Sequence, residues 1–216
     1  MELLKKVSRL EVKRCFVLSQ RFTSKKMRKD EIKKHIIKPE KVTFLKNLEI
    51  SKKAILKMKE TEIDQFIAVE YKKRLKAYDG VEWFIGYVYL SEVGIWKGAG
   101  GIPKAWSTGS LLDSAQEVAK ELRKTNSKYS RIRAIKAVPE IIKFKAVIKK
   151  EKYLLPIMLP GGTIPVCRKG MRPMNFDVDD GCMRSLAFAV SGDGQIKAYV
   201  GIFAKDASQI TSKKPF

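Results

Sequence analysis

Three carboxylates, a glycine, a cysteine and an arginine stand together in "FDVDDGCMRSLAFAVSG", residues 176–192. Asp177 and Asp179 alternate along a strand-like run and so share a face, the arrangement in which two carboxylates could meet Mg²⁺ beside a phosphate. Asp180 follows at the turn, and Gly181 breaks the run. A helix is expected from Cys182, with Leu186, Ala187 and Val190 on its buried face. Its first turn would expose unpaired N–H groups and the positive end of the helix dipole. Gly181 lets an anion approach that backbone, and Arg184 adds a planar fork of donors. The predicted phosphate contacts are therefore Gly181, Cys182, Met183 and Arg184, with Arg168 and Arg172 in the preceding loop as further reach. Asp177 and Asp179 are the candidate metal ligands; Asp180 and Glu140 are the candidate acid–base groups. The plain alternative is that Asp179 or Asp180 caps the helix and Asp177 pairs with a lysine. Cys182 is read either as a thiol activated by the helix terminus and arginine or as a small packed residue.

The elements around this corner are legible in part. Ser110 caps a predicted helix in which Leu111, Leu112, Ala115, Val118, Ala119 and Leu122 recur at helical spacing. Pro139 is placed to open a second helix running to about Lys150. "YLLPIMLP" reads as a buried strand, and "IKAYVGIFA" as a closing one. Upstream, "RCFVLSQRF" reads as a short strand. Residues 63–93 read as a β-hairpin about Asp79-Gly80, followed by a glycine-rich linker over 94–106. The expected fold is α/β of the α+β kind, with a small mixed sheet. Residues 1–105 form a basic N-terminal region and 107–216 a second domain.

In order and spacing the second region resembles the ParB/sulfiredoxin-like superfamily. The resemblance covers roughly residues 125–205. It rests on the helix and "Pro-Ile" strand (Pro156-Ile157), the Asp180-Gly181-x-x-Arg184 box with Ala187 at the small position, and the last strand. It departs from the sulfiredoxin-type box in having Met183 where histidine is usual. The upstream box of partition factors is reduced to "NSKYSRIR", with Arg131 or Arg133 as remnants. What the resemblance implies is a nucleotide pocket at the helix N-terminus, holding ATP or CTP with Mg²⁺. The activity would be that of a partition-type factor or ParB-like nuclease. A small-molecule kinase using the same pocket, and a non-catalytic nucleic-acid-binding protein, are the alternatives.

Charge narrows the partner. The 216 residues carry 45 Lys+Arg against 23 Asp+Glu, a formal +22, with 19 of the basic residues and 7 of the acidic ones in the first 60. Such an excess suits a polyanion, DNA before RNA. Lys25, Lys26, Arg28, Lys29, Lys33 and Lys34 would form a backbone-contacting arm. Lys97 and Lys104, between Trp96 and Trp106, would contact a strand whose bases stack on the indoles. The two tryptophans alternatively anchor the loop to the core. Glu70-Tyr71-Lys72 with Asp64 is a second, weaker nuclease-like pattern. Three scattered cysteines and one histidine argue against a disulfide framework, a zinc site and histidine-based nucleophile chemistry. With no long apolar run and no signal-type leader, a cytoplasmic protein without membrane contact is expected, with homo-oligomerisation open.

Overall fold

A computed structural model describes residues 1–23, 49, 52–164 and 170–211. The expected arm, Lys25 to Lys34, and Arg168 lie outside the described residues.

The fold is α+β, built on one six-stranded mixed sheet. Its strands are β1 (Glu2–Val7), β2 (Glu82–Tyr89), β3 (Val93–Gly94), β4 (Ile157–Pro160), β5 (Phe176–Asp180) and β6 (Gln195–Ile202), in the order β1-β2-β6-β4-β5-β3. β1/β2, β2/β6 and β4/β5 run antiparallel; β6/β4 and β5/β3 run parallel. Residues before and after position 106 thus contribute three strands each to the same sheet. β6 lies inside the sheet, between β2 and β4, and is buried from Ala198 to Ile202.

Among the helices that precede β2 are α1 (Arg9–Thr23) and α2 (Glu60–Asp79). Both correct the sequence expectation. "RCFVLSQRF" is helical because Val12, Cys15, Phe16 and Ser19 fall on one turn-spaced face, all buried. The first arm of the expected hairpin is α2. Ile63, Ile67 and Tyr78 are its buried stripe, and Gly80 is a helix C-cap whose N–H returns to Lys76 and Ala77. The Asp79-Gly80 pair, a strong hairpin signal between two strands, here ends a helix. α1 and α2 pack on each other. Lys13, almost fully buried between them, is neutralised by Asp64 at 2.8 Å and Asp79 at 3.0 Å. A buried ammonium without such partners would be costly.

The predicted glycine-rich linker is instead structured. It holds β3, paired with β5, and two 3₁₀ turns (Ala99–Gly101 and Lys104–Trp106), with Ala99 and Ile102 buried. Trp106 meets Tyr129 edge-on at 4.8 Å, the anchoring role. α3 (Leu111–Leu122) starts as expected at Ser110, whose hydroxyl accepts the Asp113 N–H. The next helix, α4 (Arg133–Lys143), opens six residues before Pro139 and carries it inside. It breaks at Phe144, and α5 (Lys145–Lys150) follows. α6 (Cys182–Val190) packs against both α3 and α4, and α7 (Ala204–Thr211) follows β6.

Candidate anion site at the start of helix α6

The chain leaves β5 at Asp180, turns at Gly181 with φ +87°, and enters α6 at Cys182. Only glycine adopts that left-handed backbone without strain. Space demands it too. A Cβ on Gly181 would stand 2.9 Å from Arg184 Nη2 and 3.1 Å from the Pro156 Cα. The Arg184 guanidinium is therefore folded back over the turn. Its Nη2 donates to Asp180 Oδ2 at 2.8 Å, while its buried Nε has no hydrogen-bond partner among the described residues. Asp180 is thus the counter-ion of Arg184. Gly181 is the N-cap residue, and no side chain caps the helix. The expectation that Asp179 or Asp180 would cap it is corrected: both carboxylates are turned to arginines.

Asp179 is engaged from more than 100 residues away. Arg74 Nε on α2 donates to Oδ1 at 2.7 Å, and the Tyr78 hydroxyl donates to Oδ2 at 2.7 Å. Burial raises the Asp179 pKa, and Arg74 offsets this only in part. Burial pulls Arg74 down, yet the charge and hydrogen bond of Asp179 outweigh it, so Arg74 is held above its ordinary value. The Tyr78 hydroxyl is pushed up by burial and then by Asp179. Arg74 also lies 5.4 Å from the centre of the Phe16 ring, so α1, α2 and β5 are tied at one point.

Around the first turn of α6 opens a cleft of about 400 Å³. Three arginines reach it: Arg184 from α6, Arg74 from α2 and Arg133 from the first turn of α4. Arg133 has no carboxylate partner among the described residues. Trp96, Met183 and Ile141 supply an apolar wall. Gly100, at φ +62°, makes room for Met183, whose Cε would lie 2.4 Å from a Cβ there. The Trp96 indole N–H donates to Cys182 Sγ at 3.2 Å. Burial, then the Asp180 charge, pushes the Cys182 thiol up to about 12, so it is a packed thiol and not an activated one.

Other predicted residues fall elsewhere. Glu140 is on the exposed side of α4, paired with Lys143 at 2.8 Å, and does not line the cleft. The Arg172 N–H donates to the Thr108 carbonyl, and its side chain is outside the cleft. Lys97 reaches the Gly170 carbonyl, and Lys104 is exposed on its 3₁₀ turn. Asp177 does share a small cavity with Asp179, but its Oδ2 accepts the Gly162 N–H and Arg74 lines the same space. Both Asp179 oxygens are already bonded. The pair therefore does not make a fit for a protein-held divalent cation, and among the described residues no group of three or more His, Cys, Asp or Glu converges on a point. Residues 70–72 belong to helix α2 and not to a strand, and Asp64 serves Lys13, so the second nuclease-like pattern is corrected as well.

Sequence reasoning missed Arg74 and Tyr78. In "EYKKRLKAY" nothing distinguishes Arg74 from its basic neighbours except helical spacing: Arg74 and Tyr78 are four apart, on the face of Ile63 and Ile67. Among the described residues no helix is long and apolar enough to cross a membrane. Compared with protein-family models, curated proteins and solved structures, the chain matches none of them.

Proposed function

We propose that the cleft binds the phosphate of a nucleotide or nucleic acid, and that the chain is a nucleic-acid-associated protein of the ParB/sulfiredoxin-like kind. One observation carries the reading: α6 begins without a side-chain cap, and Arg184, Arg74 and Arg133 converge on that uncapped turn. Free N–H groups, the helix dipole and guanidinium forks act together on an anion. Arg184 spends one donor on Asp180 and keeps others for a ligand. The cleft volume falls in the range of about 300–1,000 Å³ usual for small ligands, and the +22 charge favours a polyanionic partner. Binding is favoured over turnover because Asp179 and Asp180 are both committed to arginines, which leaves neither as a ready base. With both Asp179 oxygens bonded and Asp177 accepting from Gly162, the proposal includes no metal held by Asp177 and Asp179.

Calorimetric titration with a nucleoside triphosphate and with inorganic pyrophosphate tests it. Both should bind, and Arg184→Ala should weaken each at least 10-fold, about 1.4 kcal/mol. No heat from either ligand, in a protein shown to be folded by circular dichroism, overturns the reading.

A further inference from the structure

Trp83, Trp96 and Trp106 are not used alike. Trp83 is buried and meets the Tyr78 ring edge-on at 5.1 Å. Trp106 meets Tyr129 in the same way at 4.8 Å. Trp96 has no ring partner among the described residues and is 37% exposed. Its indole N–H is nevertheless satisfied, since it donates to Cys182 Sγ at 3.2 Å. The thiol in turn donates to the Val178 carbonyl at 3.9 Å, which leaves its lone pairs for the indole. Trp96 is thus held by one edge while part of its ring stays open, two residues past β3 and beside the first residue of α6. It lines the arginine cleft with Met183 and Ile141. The next cavity, which also touches Trp96 and Arg74, is only about 20 Å³, room for about one water. The space past Trp96 therefore takes no second ring.

From this arrangement we propose that Trp96 selects a free nucleotide over a bare phosphate: its ring stacks the base, Cys182 holds the ring in position, and the phosphates lie at the first turn of α6. The inference rests on the reading of the cleft as a phosphate site and adds the base and the residue that reads it. Trp96 lies upstream of residues 125–205, outside the stretch of superfamily resemblance. A tryptophan whose N–H is satisfied at one edge presents an apolar face that any base can cover. Base and phosphate belong to one ligand because the two contacts adjoin. Trp96 is one hydrogen bond from Cys182, and Arg184 is two residues further on. Three guanidinium groups line the cleft, and Arg133 spends nothing on a carboxylate among the described residues. Forked donors in that number suit a chain of phosphates, which together with a ring describes a nucleoside di- or triphosphate.

The test is calorimetric titration with ATP, UTP, inorganic tripolyphosphate, phenyl phosphate and a 5′-phosphorylated oligothymidylate. Both nucleotides should bind more tightly than tripolyphosphate, which has the phosphates and no base, and than phenyl phosphate, which has a ring and one phosphate. Trp96→Ala should weaken ATP roughly 5- to 150-fold, the range for one lost base stack, and leave tripolyphosphate within about two-fold. Trp96→Phe should retain most of the nucleotide affinity and Trp96→Leu should not, which separates stacking from cleft lining. Cys182→Ala frees the indole and should weaken ATP but not tripolyphosphate; Cys182→Ser, which keeps an acceptor, should restore it. Equal or tighter binding of tripolyphosphate, phenyl phosphate or the oligothymidylate, or unchanged ATP affinity in Trp96→Ala, overturns the proposal. Unchanged ATP affinity in Cys182→Ala overturns the positioning role of the thiol. If tripolyphosphate binds through Arg184 and ATP binds no better, this inference fails and the cleft reading stands. If ATP binding depends on Trp96 while Arg184→Ala changes nothing, the cleft reading is the one that fails.

Discussion

Replacing Arg74 with methionine removes the one cation bonded to Asp179 among the described residues while keeping most of the side-chain volume. The carboxylate is 3% exposed, and Arg74 is 21% exposed. Removing one partner of a buried pair leaves an uncompensated charge, a cost of about 3–5 kcal/mol. Tyr78 still donates to Asp179 in the variant, so the lower half, about 3 kcal/mol, is expected at neutral pH. The pH dependence gives the sharper check. Burial already raises Asp179 in the wild type, and without Arg74 both influences that lower it most are gone. The folded state of the variant then holds its proton to higher pH than the unfolded chain, whose aspartates titrate near about 4. Between those two values the folded state binds more protons, so stability falls as pH rises and then levels off. The gap between variant and wild type should therefore be smallest near pH 4 and widen toward pH 7. Urea unfolding followed by circular dichroism at pH 4, 5, 6 and 7 measures it. Arg74→Met with Asp179→Asn, which removes the orphan charge, should recover at least half of the loss at pH 7. A deficit under about 1 kcal/mol at pH 7, a gap that does not change with pH, or no recovery in the double variant would refute the account of this pair.

Two further outcomes follow from the same corner. Gly181→Ala must adopt a left-handed backbone and press on Arg184 and Pro156, so it should lose about 2 kcal/mol and roughly 4–8 °C in Tm, together with pyrophosphate binding; a variant with wild-type Tm and affinity contradicts the geometry. Cys182, with its thiol pushed up to about 12, has on the order of one thiolate in 10,000 at pH 8 and should resist iodoacetamide in the native protein but react after unfolding in urea; labelling of native Cys182 at the rate of a small free thiol, read by peptide mass spectrometry, would count against a packed role.

Local signals carried a good part of the fold. Ser110 and the apolar face of α3, the glycine turn at Gly181, the start of α6 at Cys182 and the last strand all depend on residues close in sequence, and these elements form where expected. The α+β class followed from the same patterns. Errors arose where a local signal suited two structures. An apolar run such as "CFVLS" fits a buried strand or a buried helix, and Asp79-Gly80 fits a hairpin turn or a helix end. Packing of α1 on α2 about Lys13 decided both in favour of helix.

The sequence by itself determined the backbone of the corner and its charge. A glycine where φ must be positive, an arginine one turn on, and an excess of lysine needed no partner from elsewhere to be read. Only the tertiary structure decided what the carboxylates do. Asp177, Asp179 and Asp180 looked alike along the strand, yet one accepts from the Gly162 backbone, one is buried under Arg74 and Tyr78, and one is folded onto Arg184. The physical reason is that an ionised group is defined by what surrounds it. For Asp179 those neighbours come from α2, about 100 residues earlier, and no spacing within residues 176–192 encodes them.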